Sequence, residues 1–291
     1  MDRHELLAKI AAFPLAAGGL AEDILSGNYR SIFKGQGIEF DEVRHYETGD
    51  DVRSIDWNVS ARFGTPYVKM YREEREMTVC IILDNSASMH ASAGGELTRY
   101  EQGVLSAALI AFSAEKAGQR VSAVFFDHEI CRIFPPRKGR GHTMALISAA
   151  LENRPHGKGT GLGAALAGAG RLLKRRSLLV VISDYLCLKW EHEIGDMSRR
   201  HDVIALRISS PLDREISGSG LLTLEDPETG LKIRAPTAFP GFRSAWADWH
   251  EERRRLWGAI CRRSGAAQLE LSTAEDALSG LMNFFGERRR S

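Results

Sequence analysis

The sequence predicts an α/β protein: a mostly parallel, doubly wound sheet flanked by helices, with an N-terminal extension. Three observations carry that expectation. Four short runs, MTVCIIL (77–83), RVSAVFF (120–126), SLLVVIS (177–183) and DVIALRI (202–208), are apolar at nearly every position. Strands covered on both faces read this way, whereas a strand with one wet face alternates. Stretches of helical length separate the runs, and strand alternating with helix is the pattern of crossover-connected parallel sheets. Finally, 291 residues suffice to bury a full core, as one large domain or two small ones.

Along the chain, residues 2–27 read as helical, with Leu6, Leu7, Ile10, Leu15, Leu20, Ile24 and Leu25 on a broken apolar stripe. Residues 28–76 are glycine-rich, aromatic and densely charged, without a sustained helical period, and with the first helices they form an extension over 1–76. The sheet belongs to 77–291. A helix is expected at 97–117 after the first strand, and EICRIF (129–134) is a short partner for the second. Helices follow at 142–152 and 161–175, the latter entered through glycines, and at 190–200 after the third strand. LLTLED and LKIRA, separated by PETG, read as a hairpin insertion near 220–235 with its turn at Pro227–Gly230. A helix rich in Trp and Arg at 243–263, a final strand QLELS and a closing helix at 274–285 complete the order.

Charge excludes some classes. Lys+Arg (39) nearly balances Asp+Glu (38), and a net charge of +1 gives no global attraction to nucleic acid or membrane. The runs Lys174-Arg175-Arg176, Arg253-Arg254-Arg255 and Arg288-Arg289-Arg290 are short and read as solvated faces or helix ends. Cys80, Cys131, Cys187 and Cys261 lie far apart without zinc-ligand spacing and read as buried, reduced thiols. MDRHELLAKIAAF lacks the apolar core of a signal peptide, and no run of spanning length is free of charge. A cytoplasmic protein with no integral membrane segment is expected.

The stretch CIILDNSASMH (80–90) breaks abruptly from a buried strand into small oxygen-bearing side chains. Asp84, Ser86 and Ser88 stand at a strand's carboxyl end, where open α/β sheets bind ligands. Thr160, in GKGTGLGAAL, lies just before a helix, and Asp184 follows the strand VVIS. Each alone could cap a helix. Three such loops on one sheet edge make an all-oxygen shell suited to Mg²⁺, with Mn²⁺ a possible substitute, and poor in the nitrogen and sulfur that zinc prefers. Other chemistries fit less well. GTGLG does not follow the first strand as a dinucleotide loop must, GKGT lacks phosphate-loop spacing, and Ser86 sits in NSASM rather than GxSxG. His45, His90, His128 and His142 lie near these loops without suggesting a triad. A metal-assisted phosphatase would want a nucleophilic Asp with a general acid two residues on, where Ser86 stands.

Asp84-x-Ser86-x-Ser88, Thr160 and Asp184 together resemble the metal-ion-dependent adhesion site of von Willebrand factor A domains, a Rossmann-like fold. The resemblance implies that the serines and threonine coordinate the cation, the aspartates act directly or through water, and a partner's acidic side chain fills an open position. Residues 34–76 resemble the signature of a bacterial group, domain-of-unknown-function family 58. Its pattern falls here on Gly35, Gly37, Glu39, Phe40, Arg44, Tyr46, Gly49, Asp50, Asp51, Arg53, Ile55, Asp56 and Trp57, then Ser60, Ala61 and Arg62. With the A-type region the likeness covers roughly 25–285. Many members of that group carry N-terminal membrane helices, unlike this chain, and are commonly encoded beside MoxR-type AAA+ ATPases.

The resemblance therefore implies a non-catalytic, cation-dependent adaptor or co-chaperone of such an ATPase, acting in the maturation or remodelling of protein complexes. The alternatives are a metal-dependent phosphate-ester hydrolase at the same loops, and a scaffold in which Asp84 and the serines are caps. In 34–76, Arg44, Arg53 and Arg62 interleave with Asp50, Asp51 and Asp56. That alternation reads as a paired, partly buried network that also shapes one wall of the cation site. The other reading is a docking surface anchored by Trp57 and Tyr46.

Overall fold

The four apolar runs become the heart of a six-stranded sheet in the computed structural model, which describes residues 5–6, 8–10, 12–13, 19–21, 38–73, 77–91, 97–155, 157, 159–216, 220–226 and 230–290. Its strands are β3 (Thr78–Asp84), β4 (Arg120–Phe126), β5 (Ile130–Arg137), β6 (Leu178–Ser183), β7 (Asp202–Ser209) and β10 (Ala267–Ser272), in the order β10-β7-β6-β3-β4-β5. All neighbours are parallel except β4 and β5. The chain runs from β3 outward through β4 and β5, then restarts at β6 and runs the other way. Strand order therefore reverses between β3 and β6, and that reversal opens the ligand crevice of such sheets.

Burial of β3 on both faces explains its unbroken apolar run: Val79 through Leu83 are completely buried. Cys80 and Ile82 point into a core shared with helices α5 (Leu162–Leu172), α6 (Glu191–Arg200) and α8 (Pro240–Ser264). On the other face lies α3 (Arg99–Lys116), started by a reciprocal capping box between Thr98 and Glu101. Gly103 lets α3 approach closely, since a Cβ there would stand 3.2 Å from Ile182 Cγ2 and 3.3 Å from Leu83 Cδ1. α4 (Arg140–Glu152) and α9 (Ala277–Arg290) also flank α3, and two single turns, α2 (Ala87–His90) and α7 (Pro211–Arg214), follow β3 and β7.

The expected insertion is the hairpin of β8 (Leu221–Glu225) and β9 (Lys232–Pro236). Of its turn, Gly230 has φ +73°, and 227–229 lie outside the described residues. Leu6, Ile10 and Leu20 are buried within helical segments, whereas Leu7, Leu15, Ile24 and Leu25 lie outside the described residues. By internal contacts the chain divides into 28–76 and a larger unit of 1–27 with 77–291.

Three details differ from expectation. β5 runs on to Arg137 through Pro135 and Pro136, which an edge strand tolerates because one side needs no ladder. Cys80 and Cys261 are buried but Cys131 is exposed, because the edge strand β5 has a wet face. Residues 38–73 hold unforeseen strands: β1 (Ile38–His45) pairs antiparallel with β2 (Tyr67–Glu73), around α1 (Trp57–Phe63). A bulge between Phe40 and Glu42 breaks the period that would have marked β1 as a strand.

Ile82→Ala should destabilise the protein by about 2–5 kcal/mol, the usual cost of emptying a sealed core position. Trp57→Ala, at a side chain 68% exposed, should stay within about 0.5 kcal/mol of wild type, as surface changes do. Urea titrations of both variants check this.

Candidate metal centre

Asp84 ends β3 and Asp184 follows β6, so the two carboxylates stand at the carboxyl ends of paired strands at the reversal point. Both are removed from water, at 0% and 2% exposure. Asp84 is held from two sides: Ser86 N–H donates to Oδ1 at 2.8 Å, and Ser183 Oγ–H donates to Oδ2 at 2.6 Å. Asp184 is half satisfied. Leu186 N–H donates to its Oδ1 at 3.1 Å, while its buried Oδ2 has no hydrogen-bond partner.

Such an arrangement is electrostatically costly, because like charges out of water oppose each other's ionisation. Burial, and next the charge of Asp184, push Asp84 up from 3.8 to about 7, against the hydrogen bonds from Ser183 and Ser86. The hydroxyls of Ser86 and Ser88 lie beside this pair, 3.1 Å from each other.

The loops are held from behind. Asn85 N–H reaches Phe126 O at 2.6 Å, tying the end of β3 to the end of β4. Asn85 Oδ1 lies 2.9 Å from His90 Nε2, and the His90 ring stacks on Tyr100 at 4.1 Å between centroids. Burial first, and Arg154 second, lower His90 to about 4, so its ring is neutral at pH 7. After Asp184, Tyr185 adopts φ +56°, a strained value for a large residue. Its ring is trapped against Trp190 and Trp257, its hydroxyl donates to Val181 O, and Ser183 Oγ accepts its N–H. Those contacts fix the backbone that aims Asp184.

Thr160 is the half-buried residue before Gly161 and α5. Gly161 N–H donates to Asp127 O at 2.5 Å, which secures this loop against the residue after β4. Only glycine fits, since a Cβ would fall 2.4 Å from the His128 carbonyl oxygen. Asp127 is itself buried and accepts from, or pairs with, His128 Nδ1 at 2.8 Å. Asp84, Ser86, Ser88 and Asp184 are thus adjoining, with Thr160 on a neighbouring loop of the same sheet edge. The donor set is oxygen throughout and fits Mg²⁺ or Mn²⁺. Among the described residues, no group of three or more His, Cys, Asp or Glu could hold a metal, so the fit depends on hydroxyls. Ser183 escaped sequence reasoning. Its only signal was a hydroxyl inside an otherwise apolar strand.

The other predicted residues belong to 28–76. Arg44 and Asp50 form a bidentate pair at 2.8 and 2.6 Å, which raises the arginine and lowers the carboxyl. Asp51 and Asp56 serve mainly as caps: Asp51 on the 3₁₀ turn Val52–Ser54, through Arg53 N–H, and Asp56 on α1. Lys69, rather than an arginine, approaches Asp56 at 3.6 Å. Arg62 sits in the last turn of α1, Tyr46 N–H donates to Pro66 O, and Trp57 is exposed. Among the described residues, the expected alternation of arginines and aspartates is therefore one Arg–Asp pair and two caps, with Lys69 beside the second cap. His45 lies 3.2 Å from the Tyr67 hydroxyl, and His142 Nε2 lies 3.0 Å from Val121 O.

Two outcomes follow from this geometry. Because folding raises Asp84, its contribution to stability is complete below about pH 4 and is lost as pH climbs through about 7. In chelator, Asp84→Asn should therefore gain melting temperature relative to wild type as pH rises across that window; a constant difference would show that the carboxyl is not the source. Gly161→Ala should cost about 1–3 kcal/mol by overpacking against backbone, read from chemical denaturation.

Comparison with known proteins agrees with the architecture. Residues 42–255 match the family described as "Protein of unknown function DUF58". An uncharacterized protein of Mycobacterium tuberculosis is 30% identical over 293 residues, covering 100% of this chain and 92% of that protein. One from Mycobacterium avium is 31% identical over 159 residues, covering 54% of this chain and 94% of its own length. Among solved structures, BatB from Bacteroides thetaiotaomicron has a TM-score of 0.50 at 16% identity, and an aerotolerance-related membrane protein from Bacteroides fragilis 0.51 at 17%; each likeness covers 74% of this chain and 100% of the other. At that identity the structures speak for the fold alone. The chain belongs to the DUF58 family and shares the α/β fold of these two structures.

Proposed function

We propose that this protein is a divalent-cation-dependent protein-binding module, non-catalytic itself, which acts as an adaptor or co-chaperone to a MoxR-type AAA+ ATPase. One observation carries the cation reading: two buried carboxylates face the same crevice, and a buried oxygen of Asp184 has no partner. Leaving such a group unpaired is expensive in any folded protein. A bound Mg²⁺ would supply the compensating charge and an open coordination position for an acidic side chain of the partner protein. Ser86, Ser88 and Thr160 would be direct ligands. Asp84, with both oxygens already accepting hydrogen bonds, holds the Ser86 backbone N–H and the Ser183 hydroxyl in place and balances charge. Asp184 offers Oδ2 directly or through water.

The partner class rests on the family resemblance, and the reading is of a cytoplasmic protein. It is supported by the fact that no helix among the described residues is long and apolar enough to cross a membrane.

Two measurements test the proposal. Mg²⁺ at a hundredfold excess over its Kd should stabilise wild type by about 2.7 kcal/mol and should leave Ser86→Ala unshifted. A pull-down with the native MoxR-type ATPase should retain it in Mg²⁺, release it in EDTA and fail with Ser86→Ala. Retention in both buffers would remove the cation from the interface. Turnover of a phosphate ester in Mg²⁺ or Mn²⁺, abolished by Asp84→Asn, would replace the adaptor reading with the hydrolase.

A further inference from the structure

Strand β7 is apolar between Asp202 and Arg207, and the arginine that interrupts it has a side chain only 4% exposed. Burying a guanidinium costs free energy unless its charge and its N–H groups find partners. Val203 and Ala205 pack into the core with Trp257 and Ile260 of α8. The two-residue period of a strand puts Arg207 and Ser209 on that same face. There they floor a pocket of about 210 Å³ lined by β7, α7, α8 and β10, with Arg214 and Arg254 at its rim.

The carboxylates of the lining are already engaged on every oxygen. Glu270, the register partner of Arg207 on β10, accepts from Arg207 Nη1 at 2.6 Å on Oε1 and from Arg254 Nε at 2.7 Å on Oε2. Glu251 accepts from Arg255 Nε at 3.1 Å, and its other oxygen stands 3.6 Å from Arg254 Nη1. Asp213 pairs with Arg99 on Oδ1 and accepts Ser210 N–H at 3.0 Å on Oδ2. Burial first lowers His250; Asp213 opposes the shift and Arg99 and Arg207 reinforce it, so the ring adds no charge at pH 7. The donors are not all engaged. Among the described residues Arg207 makes one hydrogen bond, through Nη1, and its Nε and Nη2 are not sealed from water, so they open on the pocket. The same holds for Ser209 Oγ, and Arg214 is exposed and unpaired among the described residues. Five guanidinium groups, those of Arg99, Arg207, Arg214, Arg254 and Arg255, thus stand against three carboxylates.

We propose that this pocket binds a phosphoryl group, as free phosphate or as the end of a small phosphate monoester. Arg207 holds it from the floor through Nε and Nη2, a planar fork that matches two oxygens of a tetrahedral anion. Ser209 Oγ–H donates to the same group, and Arg214 and Arg254 meet it from the rim. A phosphoryl group carries about −1.5 to −2 charge near pH 7, which answers the surplus of guanidinium over carboxylate; a single carboxylate would answer half of it. Nothing in this inference draws on a cation at Asp84 and Asp184.

Calorimetric titration of the full chain with inorganic phosphate, in EDTA so that no divalent cation takes part, should show saturable binding at one site. Affinity should fall about tenfold or more, or ~1.4 kcal/mol, in Arg207→Lys, in Ser209→Ala and in Arg214→Ala. It should hold in Arg132→Ala, at an exposed arginine on β5, the opposite edge of the sheet. Arg207→Lys keeps the charge beside Glu270 and loses the fork. Should that variant fail to fold, Ser209→Ala and Arg214→Ala, at a small hydroxyl and an exposed rim position, carry the test. Glycerol phosphate binding more tightly than phosphate assigns the pocket to a monoester, and weaker binding assigns it to the free ion. Acetate binding as tightly as phosphate overturns the phosphoryl assignment. No saturable binding to wild type, or wild-type affinity in both Ser209→Ala and Arg214→Ala, overturns the site.

Discussion

Asp84 and Asp184 stand at the ends of paired parallel strands, both out of water, and much of the surrounding structure answers to their mutual repulsion. Two strands that pair in parallel and lie at the centre of a sheet bring their carboxyl ends within one crevice by geometry alone. Placing a carboxylate on each is then an electrostatic expense that core packing must carry. Here the compensation from protein groups is lopsided. Asp84 has a hydroxyl and a backbone N–H on its two oxygens, while Asp184 keeps one oxygen unpaired. That asymmetry distinguishes the crevice from a pair of ordinary helix caps.

Holding those charges in place requires rigid support, and the support is apolar. Tyr185 takes a strained backbone conformation because its ring is buried between two tryptophans. Gly161 lets the Thr160 loop press against the backbone after β4, and Gly103 lets α3 lie close on the strands that carry the carboxylates. The chemistry at the sheet edge thus depends on packing several residues away, as close-packed interiors transmit strain rather than absorb it.

Arg99 gives the larger unit a second organising point. Its guanidinium joins the Ser88 carbonyl to Asp213, and Asp213 also closes the capping box that starts α7. The loop after β3 and the loop after β7 therefore share one buried ion pair. Among the described residues of 28–76 the charges do simpler work: one bidentate pair ties the end of β1 to the loop that follows it, and two aspartates start short helices. Interleaved arginines and aspartates are equally consistent in sequence with a closed network or with caps. Only the backbone conformation separates the two.

The sequence by itself determined the sheet, because strands sealed on both faces must be apolar throughout, and the runs at 77–83, 120–126, 177–183 and 202–208 are. It also determined that Asp84, Ser86, Ser88 and Asp184 end or follow such strands, and from their order a common sheet edge. Less was legible where one face is wet or the period is broken: β1 carries a bulge, and β5 ends in prolines at an edge. Tertiary structure alone decided which oxygens are engaged and which are not. Ser183 lies 99 residues from the carboxylate it serves, and Asp213 lies 114 from Arg99. Local patterns reach only a few residues along the chain, so contacts at that separation exist only once the strands have paired.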